Sequence, residues 1–181
     1  SIDGVPLVSV DHKMAGYLAA EQFASCGRKH VLVTSGTKSL DIPSYQRELA
    51  FVQRCRELDL KADVYTLEWN SFRADYADRI AKQIFEDFPR ADGILTSDLF
   101  ATACYRYAMY QGIDVPQDLS IISTDGAYSR QYGVVSFSSV VQPSIEIARQ
   151  AADILLHQID GESIKDDLKV IDTYFEQGET T

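Results

Sequence analysis

The sequence alternates short apolar runs with segments of helical periodicity, and this alternation constrains the fold more than any other feature. Four apolar runs lead directly into amphipathic segments and a fifth follows them, at residues 5–10, 30–35, 63–67, 93–96 and 119–123. Runs that are apolar throughout are typical of strands buried on both faces. A strand that leads through a helix into another strand predicts a parallel pair. We therefore predict an α/β fold with a doubly wound parallel sheet.

Five segments of helical periodicity accompany these runs. We expect the helices to start at Asp11, Ser44, Ser71, the pair Ser97 and Asp98, and Pro143. A capping residue or a first-turn proline ahead of an apolar stripe is the usual start of an amphipathic helix. Residues 126–139 have no helical period and predict a long loop with a hairpin or short strand, and residues 168–175 predict a last strand.

Composition is that of a globular domain and limits its partners. Of 181 residues, 45% are apolar and 24% are charged, which is the ordinary range. The 27 acidic residues outnumber the 17 basic ones and give a net charge of −10. This balance disfavours a nucleic-acid surface within the segment, because phosphate binding needs concentrated lysine and arginine. No run approaches the roughly 18 apolar residues of a membrane helix, so we expect no membrane partner.

Cysteine, histidine and glycine patterns favour neither a cofactor nor catalysis. Cys26, Cys55 and Cys104 are far apart and lie on apolar stripes of predicted helices, so we expect buried free thiols and a cytoplasmic location. The three histidines are scattered, which predicts no metal site. The sequence has no GxGxxG after the first strand, no P-loop and no GxSxG motif. We therefore expect no cofactor, no metal and no enzymatic activity.

Polar residues that follow the predicted strands form the candidate ligand site, because ligands of doubly wound sheets bind beyond the carboxyl ends of the strands. They are Asp11, the segment 35–41 with Asp41, Trp69, Ser97, Asp98 and Asp125. Carboxylates together with an aromatic face are typical of a site for a sugar or similar polyol. Structural alternatives remain open for several of them. Asp11 and Asp98 also suit helix caps, Trp69 a core or rim position, and Asp125 a turn before glycine.

Arg47 departs from a local rule. If Ser44 caps its helix, Arg47 lies in the first turn, where the helix dipole disfavours a cation. Such departures are enriched at functional sites, although a solvated surface arginine is the alternative. Tyr105, Tyr107 and Tyr110 cluster on one helix and suit either packing or a dimer face.

Several segments, in order, resemble the effector-binding part of the lactose-repressor (LacI/GalR) family of bacterial transcription regulators. The matching runs are VPLVSVDHKMAGYLAAEQFASCGRKHVLVTSG, SYQRELAF, ADGILTSDLFA, GIDVPQDLSIISTD and SSVVQPSIEIARQAADILLHQIDGE. Together they span nearly all of residues 5–178. The resemblance implies two Rossmann-like subdomains of the periplasmic-binding-protein type, with a small-molecule cleft between them and a DNA-binding head elsewhere in the protein.

The resemblance also implies roles for individual residues. Arg47 matches an effector-contacting arginine, Asp125 an aspartate that bonds the effector, and Trp69 an aromatic that stacks on it. Ser97 and Asp98 fall where Asn-Asp is usual, so serine replaces asparagine. Asp11 falls in the usual Asp-Asn turn, where His12 replaces asparagine, and Ser123-Thr124 replace Gly-Tyr or Gly-Phe before Asp125. These departures affect the identity of the effector more than the location of the site.

The family pattern predicts how the segment is divided. Residues 1–11 and 140–164 would be a remnant of the first subdomain, and residues 12–139 and 165–181 the second subdomain. We expect the segment to begin inside a larger protein and the apolar face of the helix at 143–160 to be exposed here. The predicted function is sugar-effector sensing and homodimerisation in a cytoplasmic regulator that contacts DNA only through an absent helix-turn-helix. A transport-type periplasmic sugar-binding protein is the alternative.

Overall fold

The computed structural model describes residues 5–36, 43–67, 74–126, 135–161 and 168–181. The strands are β1 (Leu7–Val10), β2 (His30–Ser35), β3 (Lys61–Thr66), β4 (Gly93–Thr96), β5 (Ser120–Ser123), β6 (Ser138–Val141), β7 (Leu168–Ile171) and β8 (Tyr174–Glu176). The helices are α1 (His12–Ser25), α2 (Pro43–Glu57), α3 (Ala74–Asp87), α4 (Asp98–Gln111) and α5 (Ser144–Ile159). Within these ranges, strands and helices alternate from β1 to β5 as predicted.

Six strands form the main sheet, in the order β3-β2-β4-β5-β6-β8. All neighbours pair in parallel except β6 and β8, which are antiparallel. The prediction of a doubly wound, mainly parallel α/β sheet is confirmed. Burial on both faces holds for β4, β5 and β6, in which every residue is buried. It does not hold for β3, which is the edge strand and leaves Val64 44% exposed.

Helices cover both faces of this sheet, because alternate strand residues point to opposite sides. On one face, Val31 and Leu95 pack with α1 and α2, and the Phe23 and Phe51 rings meet edge to face at 6.0 Å. On the other face, Leu32 and Ile94 pack with α3 and α4. Burial of these apolar side chains on both faces is the main stabilising contribution to such a sheet.

A second, two-stranded sheet joins β1 and β7 in parallel. The sequence predicted a single last strand at residues 168–175, and this prediction is wrong. The strand breaks at Asp172 and Thr173, where the Thr173 hydroxyl donates to Val141 O at 2.7 Å. As a result β7 belongs to the small sheet and β8 to the large one. Residues 168–171, assigned above to the second subdomain, therefore pair with β1, while the division into two subdomains stays a prediction.

Helix α5 lies against β1 and has no buried residue. Its apolar side chains, expected to face a missing subdomain, are exposed, with Ile145 at 85% and Ile159 at 71%. Leu155 and Leu156 are also more than half exposed, as are Leu168 and Val170 of β7. We call these exposed apolar side chains of α5 and β7, taken together, the apolar face. None of the helices among the described residues is long and apolar enough to cross a membrane.

Candidate functional site

The carboxyl edge of the main sheet brings together the starts of three helices. Helix α1 begins after Asp11, α2 begins near the end of β2, and α4 begins after β4. Asp125 follows β5 after one residue, Thr124. The carboxyl ends of parallel strands lie at one edge of the sheet, so the polar loops that follow these strands lie at that edge too. We refer to this region as the polar edge.

Arg47 and Asp125 both belong to the polar edge, and the charge of each shifts the pKa of the other. Burial lowers the pKa of the Arg47 guanidinium, and the Asp125 charge opposes that effect. Burial raises the pKa of Asp125, whereas Arg47 and a hydrogen bond from Gln142 favour its ionised form. The Gln142 amide donates to Asp125 Oδ1 at 2.7 Å. The two residues that the sequence singled out most strongly are thus electrostatically coupled.

Helix α2 differs from its prediction in one respect that concerns Arg47. It begins at Pro43, so Ser44 lies within the first turn and does not cap the helix. Arg47 is therefore the fifth residue of the helix, past the positions at which the dipole argument applied most strongly. The grounds for its role are now its buried Nε atom and its charge interaction with Asp125.

Asp98 and Ser97 lie at the start of α4. Ser97 occupies the N-cap position with extended backbone, but its side chain makes no capping hydrogen bond. Asp98 Oδ1 accepts a hydrogen bond from the Gly126 amide at 3.3 Å, which ties α4 to the turn after β5. The charge of Asp98 also raises the pKa of Asp125. Asp98 thus belongs to the same cluster as Asp125, and the Ser97 hydroxyl is not used in capping.

Asp11 has a structural role that accounts for its side chain. Its Oδ1 accepts a hydrogen bond from the Met14 amide at 2.9 Å and caps α1. Its own amide donates to Ile171 O at 3.3 Å, at the crossover between the small sheet and α1. The structure therefore confirms the alternative that Asp11 is a helix cap. A contact between Asp11 and a ligand stays a prediction. Trp69 and Asp41 lie outside the described residues.

Glu48, His12 and Gln142 also belong to the polar edge. Sequence reasoning did not select them as site residues, although it placed His12 at the asparagine of the family's Asp-Asn turn. Glu48 is only 4% exposed, and burial raises its pKa to about 7. Burial and the nearby Arg47 charge lower the pKa of His12. One signal could have identified Glu48, since it precedes Phe51 by three residues and Cys55 by seven and so falls on the inner face of α2.

The three tyrosines of α4 have different environments. Tyr105 meets Phe137 edge to face at 5.8 Å, and Tyr107 packs against Phe85 at 5.0 Å. Tyr110 is 80% exposed. Tyr107 and Phe85 also line a cavity of about 550 Å³ near the ends of α3 and α4, to which no predicted site residue contributes. Packing thus accounts for Tyr105 and Tyr107, and the dimer face stays a prediction.

The chemistry of the polar edge suits an uncharged, hydroxyl-rich ligand. A guanidinium supplies fixed donors and carboxylates supply acceptors, so that vicinal hydroxyls can donate and accept at the same site. Among the described residues, no group of three or more histidine, cysteine or acidic side chains could hold a metal ion.

Comparison with known proteins identifies the fold family. Residues 20–181 match the family model of periplasmic binding protein-like domains. The chain is 25% identical over 170 residues to the HTH-type transcriptional repressor CytR of Escherichia coli (strain K12), covering 93% of this chain and 49% of that protein. It is 27% identical over 173 residues to a ribose operon repressor of Halalkalibacterium halodurans, covering 95% and 49%. The chain thus spans about half the length of these curated relatives.

Solved structures show the same fold. A complex of the transcriptional regulator CelR with cellobiose superimposes with a TM-score of 0.85 at 20% identity, over 100% of this chain and 55% of that one. A LacI family regulator from Arthrobacter sp. FB24 in complex with lactose gives a TM-score of 0.81 at 22% identity, over 96% and 64%. The family model and the curated repressors confirm the resemblance to repressors of the lactose-repressor type, and the solved structures show the shared fold.

Proposed function

The chain belongs to the family of periplasmic binding protein-like domains, and from this premise we propose that it is the effector-binding region of a bacterial transcriptional regulator. The relatives found by sequence are repressors, which supports a regulator over a transport-type binding protein or an enzyme. The observation that carries the proposal is the coupling of Arg47 and Asp125 at the carboxyl edge of the sheet.

The proposed effector is a sugar. Neighbouring structures hold cellobiose and lactose, and the polar edge offers one guanidinium beside carboxylates. In this proposal Arg47 and Asp125 bind hydroxyl groups, and Asp98, Asp11 and Ser97 line the same edge. Trp69 stacks on the sugar ring, and Asp41 supplies a further polar contact.

The proposed mechanism is a shift in the populations of two conformations of the whole regulator, which differ in how far the two subdomains close on the effector cleft. The polar edge would form one wall of the effector cleft, and a first subdomain would form the other. An effector that prefers one closure changes the relative populations of the two, and so changes the affinity of the paired DNA-binding heads. The regulator is proposed to be a cytoplasmic homodimer whose DNA contacts lie outside this segment.

The apolar face supports this division. We assign β1 and α5 to the first subdomain, as the sequence predicted, and add β7 because it pairs with β1. Apolar side chains exposed to this extent form a patch of the kind that usually marks an interface. In the full regulator the remainder of the first subdomain would cover it.

Calorimetry on the full-length regulator tests the proposal. The panel is cellobiose, lactose, sucrose, ribose and D-xylulose. We expect at least one of these sugars to bind, and Arg47→Ala or Asp125→Ala to weaken that binding by more than about tenfold, because each removes a charged hydrogen-bonding partner. Arg54→Ala is the matched control, since Arg54 lies on the same helix but pairs with Glu21 at the surface. Wild-type affinity in both site variants would show that the site is assigned wrongly.

A further inference from the structure

Three buried polar side-chain atoms have no hydrogen-bond partner among the described residues, and all three belong to the polar edge. They are His12 Nδ1, Arg47 Nε and Glu48 Oε2. Their charges interact, since Arg47 affects the pKa of both His12 and Glu48. A buried polar atom without a partner is unfavourable by about 1–3 kcal/mol, so each of the three gains from a hydrogen bond with any suitable group that comes within reach.

Glu48 is the most confined member of this cluster. Its side chain hydrogen-bonds Ser35 at the end of β2. Because Oε2 has no partner, Oε1 must be the oxygen that meets Ser35. One carboxylate oxygen is thus fixed against the sheet, and the other is free to bond a neighbouring donor.

The main chain at Arg47 cannot move to form such a bond, because α1 and α2 touch there. A Cβ atom built on Gly16 of α1 would lie 2.3 Å from Arg47 O and 2.7 Å from Phe51 N. Only glycine permits this approach of the two helices. Any response of Arg47 to its surroundings must therefore occur in its side chain.

We propose that Glu48 is a positioning residue for Arg47, whose buried carboxyl competes with Asp125 and the effector for the guanidinium once it becomes charged. The inference rests on the proposed function, in which Arg47 binds the effector. When Glu48 is neutral, the Arg47 donors are available to Asp125 and to sugar hydroxyls. When Glu48 is ionised, its free oxygen attracts Arg47 Nε and draws the guanidinium back from the cleft.

The charged groups around Glu48 show why we attribute the pH dependence of effector binding to this residue. Arg47 precedes it on α2, and His12 starts α1, where burial and the Arg47 charge lower the pKa of the imidazole below its ordinary value of 6.5. From β2, Ser35 and Thr34 are uncharged. Strand β3 carries Lys61 and Asp63, which pair with each other at 3.1 Å near its amino end.

Beyond β5 stands Asp125, with Asp98 next to it and Asp11 at the start of α1. Burial raises the pKa of Asp125 above its ordinary value near 3.8, and burial raises the pKa of Glu48 to about 7, so the Glu48 carboxyl changes its charge across the neutral range. Effector affinity should therefore fall by about five- to tenfold between pH 6 and pH 8.

Nuclear magnetic resonance on the full-length regulator with ¹⁵N-labelled arginine tests the coupling without any effector. The Arg47 Nε–Hε signal, assigned with Arg47→Lys, should shift with a midpoint near pH 7. The shift should vanish in Glu48→Gln and persist in His12→Asn. A wild-type signal that does not titrate, or a titration kept in Glu48→Gln, or one lost in His12→Asn, overturns the proposal.

A second measurement covers the case in which Glu48→Gln does not fold. In wild-type protein with ¹³C-labelled glutamate, the Glu48 carboxyl should titrate with the same midpoint as Arg47 Nε, and unequal midpoints overturn the proposal. Failure of the proposed function is distinguishable, because it appears as no sugar binding in calorimetry while the Arg47 titration remains. Conversely, if sugar binding depends on Arg47 but the Arg47 signal does not titrate, the role of Glu48 is wrong and the proposed function stands.

Discussion

At the scale of single residues, the polar edge combines charged groups that the fold buries. Glu48 illustrates the consequence for stability. Its pKa is raised from about 4.5 to about 7 mainly by burial, so the folded chain disfavours the ionised form. The contribution of this carboxyl to stability is fully present below about pH 4.5 and is lost as the pH rises through 7.

Glu48→Gln should therefore change the pH dependence of stability. Relative to wild type, we expect the variant to gain up to about 2–3 kcal/mol in free energy of unfolding between pH 4.5 and pH 8, because glutamine cannot ionise. Urea unfolding of both chains across this range measures the difference. Glu57→Gln is the matched control on the exposed end of α2, where the carboxylate pairs with Arg54 at 2.8 Å. A Glu48 curve no different from the Glu57 curve would contradict the burial argument.

Whether a site residue could be identified from the sequence depends on the contacts that give it its role. Arg47 and Asp125 were predicted from strand-end positions, a broken helix rule and a family resemblance, and the structure brings their charges together. Glu48 was missed because helical spacing shows that a residue faces inward but not whether a partner such as Ser35 meets it there. Gln142 was missed because its contact with Asp125 depends on β6 lying beside β5.

At the scale of elements, the sequence predicted the βα units but not the closing strands. Strands such as β4 and β5 are buried on both faces, so their sequences are apolar throughout and the strands can be recognised from the sequence. The sequence predicted one last strand because the pattern of residues 168–175 does not show which sheet each half of the segment joins. The change of sheet at Thr173 depends on its hydrogen bond to Val141 O, a long-range contact.

The carboxyl-terminal segment that follows β8 completes the large sheet. Thr180 is fully buried, and its hydroxyl donates to Ile121 O at 2.6 Å and accepts from the Ser138 amide at 3.0 Å. The Ile121 amide donates to Thr180 O at 2.9 Å. The threonine thus bridges Ile121 of β5 and Ser138 of β6, at the start of the pairing between the two strands.

Thr180→Val should destabilise the chain. Valine keeps the shape but leaves Ile121 O and the Ser138 amide without the hydroxyl, and each buried unsatisfied group is unfavourable by about 1–3 kcal/mol. We expect a loss of about 2–5 kcal/mol in urea unfolding. Thr102→Val is the control, since Thr102 is exposed on α4 and should change stability by no more than about 0.5 kcal/mol. Equal losses in the two variants would refute the bridging role.

At the scale of the whole molecule, two unequal parts meet at Asp11 and Thr173. The large sheet has helices on both faces and a closed core. Within the described part of the chain, α5 lies beside the small sheet, and the apolar face is exposed to solvent. The sequence predicted this exposure from the family pattern, because periodicity shows an apolar stripe but cannot say what covers it.

The 181-residue chain in isolation should self-associate through the apolar face, since burying large exposed side chains is favourable by roughly 25 cal/mol per Å² of apolar area. Sedimentation velocity should show a mass that rises with concentration, and Leu155→Glu combined with Ile159→Glu should restore the monomer. Glutamate favours helix, so α5 should survive the change. Met109→Glu combined with Tyr110→Glu on α4 is the control, because those side chains are equally exposed but lie elsewhere. If the α4 pair dissociates the oligomer and the α5 pair does not, the tyrosine-bearing helix is the contact surface, and the apolar face does not drive association.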